Sequence, residues 1–271
     1  MRMLAGVDVS GRIHRLRKNA QMRARLWSGR WWLLAWALLS LAGSLLLARL
    51  ALQREQAAFE TDARIVHRLL SQRVVAHDAV LAMLALLQPR TDAATGDALA
   101  RLPSVYPHIL SVERSDAQTP WADAALRRAQ QQSRAAKRPA LADVDFAQGR
   151  YRVVLAAEPA SYALQIDIRT MVPWSEWPME PGSSATAVAL ALNGQRFVLQ
   201  PGRPLDRGWS YDFHKELAAP SQPFDVVAGR HVGWAELPWG QMLALAALLA
   251  AALATARWLQ QQASARRLRV G

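Results

Sequence analysis

The chain has 271 residues, enough for one or two modest domains, and its hydrophobic fraction of 52% lies slightly above the range usual for a soluble globular protein. The net charge is +12, yet only three of the 33 basic residues are lysines (Lys18, Lys137 and Lys215). The arginines are scattered and no nucleic-acid-binding module accompanies them, so nucleic acid is not an expected partner. There is no cysteine, which excludes disulfides, thiol nucleophiles and thiolate metal sites.

Residues 1–30 form a basic tail, with Arg2, Arg12, Arg15, Arg17, Lys18, Arg23, Arg25 and Arg30 against the single acid Asp8. Trp31 to Ala48, WWLLAWALLSLAGSLLLA, follows without a charge. At about 1.5 Å per residue, roughly twenty residues cross a hydrocarbon core of about 30 Å, so 31–50 is expected to span a membrane. No small-x-small cleavage site follows it, which favours an uncleaved anchor over a signal peptide.

From Leu50 to Leu87 the pattern is helical, free of Pro and Gly until Pro89. Phe59, Ala63, Val66, Leu70, Val74, His77, Leu81 and Leu84 recur at steps of three and four, the stripe of an amphipathic helix. A weaker stripe of Ile65, Leu69, Ala76, Val80, Met83 and Leu87 broadens the face, and its width points to homodimerisation. After Pro89 strand-length, period-two segments take over. They are Val105–Val112, Leu141–Phe146, Tyr151–Ala157, Tyr162–Ile168, Thr186–Leu192, Gln195–Gln200, Gly208–His214, Phe224–Ala228 and His231–Glu236. Glu158-Pro-Ala-Ser161 and Asn193-Gly194 read as hairpin turns, the second a type I′ signal. A polar helix is expected over Ala122–Lys137, and the Trp- and Pro-rich MVPWSEWPMEPG (171–182) divides the strands into two groups.

A second, Ala-rich apolar run, Leu237 to Ala256, precedes the basic end RWLQQQASARRLRVG. Trp31, Trp32, Trp239 and Trp258 stand where interfacial tryptophans anchor spans in a lipid bilayer. Arg257, Arg266, Arg267 and Arg269 follow the second span with no acid among them, so the positive-inside rule places both termini in the cytoplasm and the intervening segment outside. The expected organisation is a cytoplasmic tail (1–30), a span (31–50), a long extracytoplasmic helix (51–88) and a mixed α/β subdomain (89–170). A β-rich, membrane-proximal subdomain (171–236), a span (237–256) and a cytoplasmic connector helix (257–271) complete it. The fold class is α+β with antiparallel strands, in one sheet or two.

Motifs for catalysis are missing. No Gly-rich loop closes on Lys-Ser or Lys-Thr, no HExxH pair occurs, and no Gly-x-Ser-x-Gly elbow is present. Glu113, Asp116, Asp143, Asp145 and Asp167 read as strand-edge or turn charges, and His77, on the apolar stripe, as a packed, hydrogen-bonded residue. No enzymatic activity, cofactor or metal is expected of this chain. A sheet face carrying Tyr106, His108, Arg150 and Arg152 could hold a small anionic ligand through charge-assisted hydrogen bonds; the other reading is an aromatic core residue beside solvent-facing arginines.

The layout of basic tail, span, helix FETDARIVHRLLSQRVVAHDAVLAMLALL, mixed domain from LPSVYPHILSVER and second span resembles the sensory half of bacterial two-component histidine kinases. The helix and following strand are similar in style to CHASE and PAS-like (Cache) input domains. The resemblance implies a periplasmic sensor domain anchored in the inner membrane, a homodimer, and a cytoplasmic kinase or other output domain as partner. The family's phosphoacceptor His box and DxGxG are missing: no His follows His231, and fifteen residues follow Ala256. No catalytic residue therefore carries over. An input module, a truncated kinase and a stand-alone accessory remain open, beside a different class of function, a structural assembly protein of the cell envelope.

Overall fold

The computed structural model describes residues 9–87, 101–179, 185–203 and 207–270. It divides into two compact units, Met1–Arg54 with Glu236–Gly271, and Glu55–Ala235. Helix α1 (Val9–Leu87) contributes to both.

The first unit holds two helical stretches long and apolar enough to cross a membrane, one in α1 from Trp31 and one in α4 (Trp239–Val270). Their large apolar side chains point outward, Leu33 and Leu45 in the first and Leu243 and Leu248 in the second, the reverse of a helix in a soluble core. Gly43 leaves room for Leu245, since a Cβ there would stand 2.4 Å from its Cδ2. Close by, the Trp36 indole donates to the Ala246 carbonyl at 2.9 Å.

The second unit is α+β, with two antiparallel four-stranded sheets. Sheet 1 is ordered β1-β4-β3-β2, from β1 (Ile109–Asp116), β2 (Ala140–Asp145), β3 (Arg150–Leu155) and β4 (Ala160–Asp167). Sheet 2 is ordered β6-β5-β8-β7, from β5 (Thr186–Leu192), β6 (Gln195–Gln200), β7 (Trp209–Glu216) and β8 (Asp225–Val232). The question of one sheet or two is thus answered as two, which share one apolar core.

That core is built on α1. Every residue of the stripe Phe59, Ala63, Val66, Leu70, Val74, His77, Leu81 and Leu84 is buried, as the period of a one-sided helix requires. Phe59 stacks near Tyr211 and His67 meets Phe213 edge-on, so the earlier part of the stripe lies against sheet 2. His77 lies against Tyr151 of sheet 1. The weaker stripe is mostly left outside the core, as an apolar surface beside the buried face. Val80 is buried and Leu69 partly so, but Ile65, Ala76, Met83 and Leu87 are exposed.

Sheet 1 is covered on its other face by α2 (Ala124–Ala136), whose Leu126 and Ala129 form a small second core with Trp121, Val154 and Ala163. Covered on both sides, β4 is buried almost throughout. Asp123 caps α2 by accepting from the Ala125 N–H at 2.7 Å, and Lys137 ends it in the left-handed region at φ 51°. The Asn193-Gly194 turn has φ of 51° and 81°, the pair of positive angles a type I′ hairpin needs. Trp177, from the Trp-rich segment between the sheets, is buried and donates to Gln200 at 2.9 Å; Gln200 in turn donates to the Thr186 carbonyl at 2.8 Å. Helix α3 (Ile168–Met171) opens that segment, whose part at 180–184 lies outside the described residues.

Two strand expectations are corrected. Val105–Val112 is not one strand: residues 101–105 are helical, and the chain turns at 106–108, where the Tyr106 carbonyl accepts from Ile109 N–H at 2.9 Å. Pro107 has no N–H to give a ladder, so the strand begins only at Ile109. Conversely, Phe224–Ala228 and His231–Glu236 are not two strands. Gly229 pairs with both Ala187 and Asp212, and β8 runs through it without a break.

Leu70→Ala, which empties a fully buried position on α1, is expected to cost about 2–5 kcal/mol, whereas Val75→Ala on the exposed face should stay within about 0.5 kcal/mol. Thermal melting of the two variants against the parent chain measures the difference.

Candidate functional site

The most distinctive chemistry of the second unit lies inside its core, where α1, sheet 1 and the segment after β7 meet. The Leu217 N–H donates to the Phe224 carbonyl at 2.9 Å and closes a loop that brings Ser221 and Gln222 to α1. Both are buried. Gln222 Nε2 donates to the Val74 carbonyl at 3.0 Å and to Asp78 Oδ1 at 3.1 Å, which fixes its amide with Oε1 facing the other way. The Tyr151 hydroxyl donates to that Oε1 at 2.7 Å. Ser221 Oγ donates to Asp78 Oδ2 at 2.6 Å.

His77 completes the cluster. Its Nδ1 stands 3.1 Å from the Tyr151 hydroxyl oxygen and 3.4 Å from Gln222 Oε1. Since the tyrosine proton is already given to Gln222, the network assigns the imidazole proton to Nδ1, donating to the tyrosine oxygen. Nε2 is then a bare acceptor, buried and without a hydrogen-bond partner among the described residues. The ring of His108 lies 5.0 Å from that of His77, centroid to centroid.

The electrostatics follow from burial. His77 is held far below its ordinary value, at about 3, chiefly by desolvation and then by His108 and Arg73, with the Gln222 hydrogen bond opposing. Burial and Arg73 also lower His108. Burial pushes Asp78 up against the pull of Ser221, Gln222 and Arg138, and holds the Tyr151 hydroxyl protonated with help from Asp78. The cluster therefore contains a neutral imidazole and a protonated phenol at neutral pH, and its members satisfy one another except at His77 Nε2. A group pulled out of it would leave its partners buried and unpaired, at about 1–3 kcal/mol each. That makes the cluster an all-or-none tie.

The four residues expected to bind an anion are not brought together. Tyr106 and His108 leave the strand for the turn before β1, with ring centroids 6.0 Å apart; Tyr106 is exposed and His108 buried beside His77. Arg150 and Arg152 do alternate with the buried Tyr151 and Val153, and so face the opposite side of sheet 1. There Arg152 is fully engaged. It holds Asp143 with two bonds of 2.8 and 2.7 Å and reaches Asp123, the cap of α2, at 2.5 Å. Those bonds raise its affinity for its proton and lower that of Asp123. Arg152 thus fastens α2 to the sheet. Arg150 is exposed, with its guanidinium 3.5 Å from Gln148 Oε1.

His77 was legible as a polar interruption of an apolar stripe. Tyr151 showed only as a strand residue, and Ser221 and Gln222 carried no signal, since they lie 143 to 148 residues from their partners on α1. Among the described residues no group of three or more His, Asp or Glu is placed to hold a metal ion. In the first unit, Trp31, Trp239 and Trp258 are exposed, and Trp32 is half-buried. Trp32 and Trp258 line a cleft of about 440 Å³ with Trp36 and Arg257.

Compared with models of known protein families, with curated proteins and with solved structures, the chain finds no match.

Unfolded, His77 binds a proton near pH 6.5; folded, it does not until about pH 3. Its stabilising contribution is complete above the unfolded value and is lost as the pH falls through this window, by up to about 1.4 kcal/mol per pH unit. Asp78, raised on folding, acts in the opposite sense as the pH falls through its folded value. The melting temperature is expected to drop between pH 6.5 and 5, and His77→Leu to flatten that slope while lowering melting at pH 7. An unchanged slope in the variant would assign the loss to other groups, His108 first among them.

Proposed function

We propose that this chain is the membrane-anchored, signal-sensing module of a receptor of the two-component histidine kinase type. In this reading the second unit is a periplasmic, PAS-like domain and the apolar stretches of α1 and α4 span the inner membrane. Both termini are cytoplasmic, and α4 passes the signal to a cytoplasmic output domain. The observation that carries the reading is the Tyr151–His77–Gln222–Asp78–Ser221 tie to α1, buried except at Asp78, on the same helix that contains the first apolar stretch. A ligand that favours the tied or the untied arrangement would change how α1 is held, and a difference in affinity between two states is what signalling requires.

Homodimerisation belongs to the same proposal. The exposed Met83 and Leu86 of α1 supply an apolar strip for a second copy. The competing reading, an envelope scaffold, would draw on sheet edges open to strand addition. Of the four edge strands among the described residues, β1 and β7 carry Glu113, Arg114, Asp116, Asp212, Lys215 and Glu216 and β2 carries Asp143 and Asp145, charges that oppose such pairing; β6, with Arg196 alone, is the most open of them.

Two measurements test the proposal. The chain has no native cysteine, so Gln118→Cys should react with a membrane-impermeant maleimide in intact spheroplasts while Gln262→Cys should react only after lysis; equal labelling of both would refute the topology. For signalling, the chain is fused in helical register to a histidine-kinase phosphoacceptor and ATPase core. Gln222→Ala, which unties the cluster, is expected to shift autophosphorylation several-fold in membranes. A chimera whose activity is indifferent to Gln222→Ala and to deletion of residues 101–232 would show that the domain transmits nothing.

A further inference from the structure

Beside the tie, the outer face of α1 carries a groove of about 710 Å³, within the roughly 300–1,000 Å³ typical of small-molecule sites. Its two walls are α1 between Thr61 and Val75 and the end of β7 with the residues after it. Two contacts hold the walls together: the His67 ring meets the Glu216 carbonyl at 2.8 Å, and Ser71 Oγ accepts from the Ala218 N–H at 3.2 Å. The exposed Ile65 and Val75 give the groove an apolar character that solvent alone does not explain. Its charge is of one sign, from Arg64, Arg68 and Lys215. Arg64 is paired with Glu60 at 3.0 Å, but among the described residues no carboxylate pairs with Arg68 or Lys215.

We propose that this groove binds a small anionic amphiphile, with its carboxylate or phosphate head on Arg68 and Lys215 and its apolar body along Ile65 and Val75. The charge pattern selects this occupant. A second copy seated in the groove itself would set Arg64, Arg68 and Lys215 against their own images, at a cost in repulsion, so the copy-to-copy contact proposed above is confined to Met83 and Leu86, about two turns beyond Val75. A neutral apolar ligand would leave both free cations without a counter-charge, whereas an anion gains charge-assisted hydrogen bonds from each.

The proposal deepens the sensing reading and rests on it for its consequence. The groove wall at Ala218 leads within four residues to Ser221 and Gln222, and the wall at Ser71 leads to Val74 and Asp78, so both walls end in the tie. A body seated between the walls acts on the bonds that fasten the 217–224 loop to α1.

The test uses the full chain in nanodiscs of zwitterionic phosphatidylcholine, with radiolabelled decanoate in equilibrium dialysis and empty nanodiscs subtracted. One saturable site per chain is expected, weakened at least ten-fold by Arg68→Glu with Lys215→Glu and at least ten-fold by Val75→Trp, which fills the groove. Decyl phosphate should compete with decanoate, and decanol should not. All three substitutions are at exposed positions, and an unchanged melting temperature verifies the fold. Binding that survives both the charge reversal and Val75→Trp overturns the proposal, as does equal competition by decanol. It is also overturned if no saturable site appears above the empty discs, or if sedimentation shows a dimer that Val75→Trp breaks, which would make the groove an interface between copies. Dialysis does not depend on the kinase chimera. Decanoate binding with an indifferent chimera would sink the sensing reading alone, and a responsive chimera without decanoate binding would sink the groove alone.

Discussion

Everything in the second unit depends on burying one face of α1. A chain without cysteine cannot be stapled covalently, so an apolar core must supply its stability, and here that core has a single helix as its common floor. Sheet 2 meets the earlier turns, through Phe59 and His67, and sheet 1 the later ones, through His77. Each sheet presents only one face to this helix. Beside α1 the sheets also meet directly, Phe146 stacking near Phe197 and Tyr151 meeting Phe224 edge-on.

Against that apolar background, a buried tyrosine, histidine and glutamine with a half-buried aspartate are an expensive insertion. Burying such groups is tolerable only when they satisfy one another, and all but His77 Nε2 do so. A purely aliphatic joint at the same place would be easier to stabilise and would accept many packings. Hydrogen bonds of fixed direction accept few, so the cluster fixes where the 217–224 loop meets α1 more narrowly than shape alone could.

The fold was legible where its rules are local. The α1 stripe follows from residue spacing, the β5–β6 turn from Asn193-Gly194, and the faces of β3 from strict alternation about Tyr151. The reading failed where a single residue has two structural meanings. Pro107 inside an apolar run ended a strand before it began, and Gly229, which looks like punctuation, sits in the middle of a strand with partners on both sides. The site was legible least of all. Arg152 read as solvent-facing because its partners Asp123 and Asp143 are 29 and 9 residues away, and Gln222 carried no local signal because its partners are on a helix more than a hundred residues earlier. Local patterns report which way a side chain faces, and pairing across the fold decides what it meets there.

The order of sheet 2 has a mechanical consequence. The chain leaves the domain from β8, which is not an edge strand: it is hydrogen-bonded along its length to β5 on one side and to β7 on the other. A pull along the exit would load both ladders in shear, many bonds at once, where an edge or a hairpin end would peel one bond at a time. The domain is thus a stiff grip on its own last strand, and small displacements there would pass through sheet 2 as a body before any of its hydrogen bonds gave way.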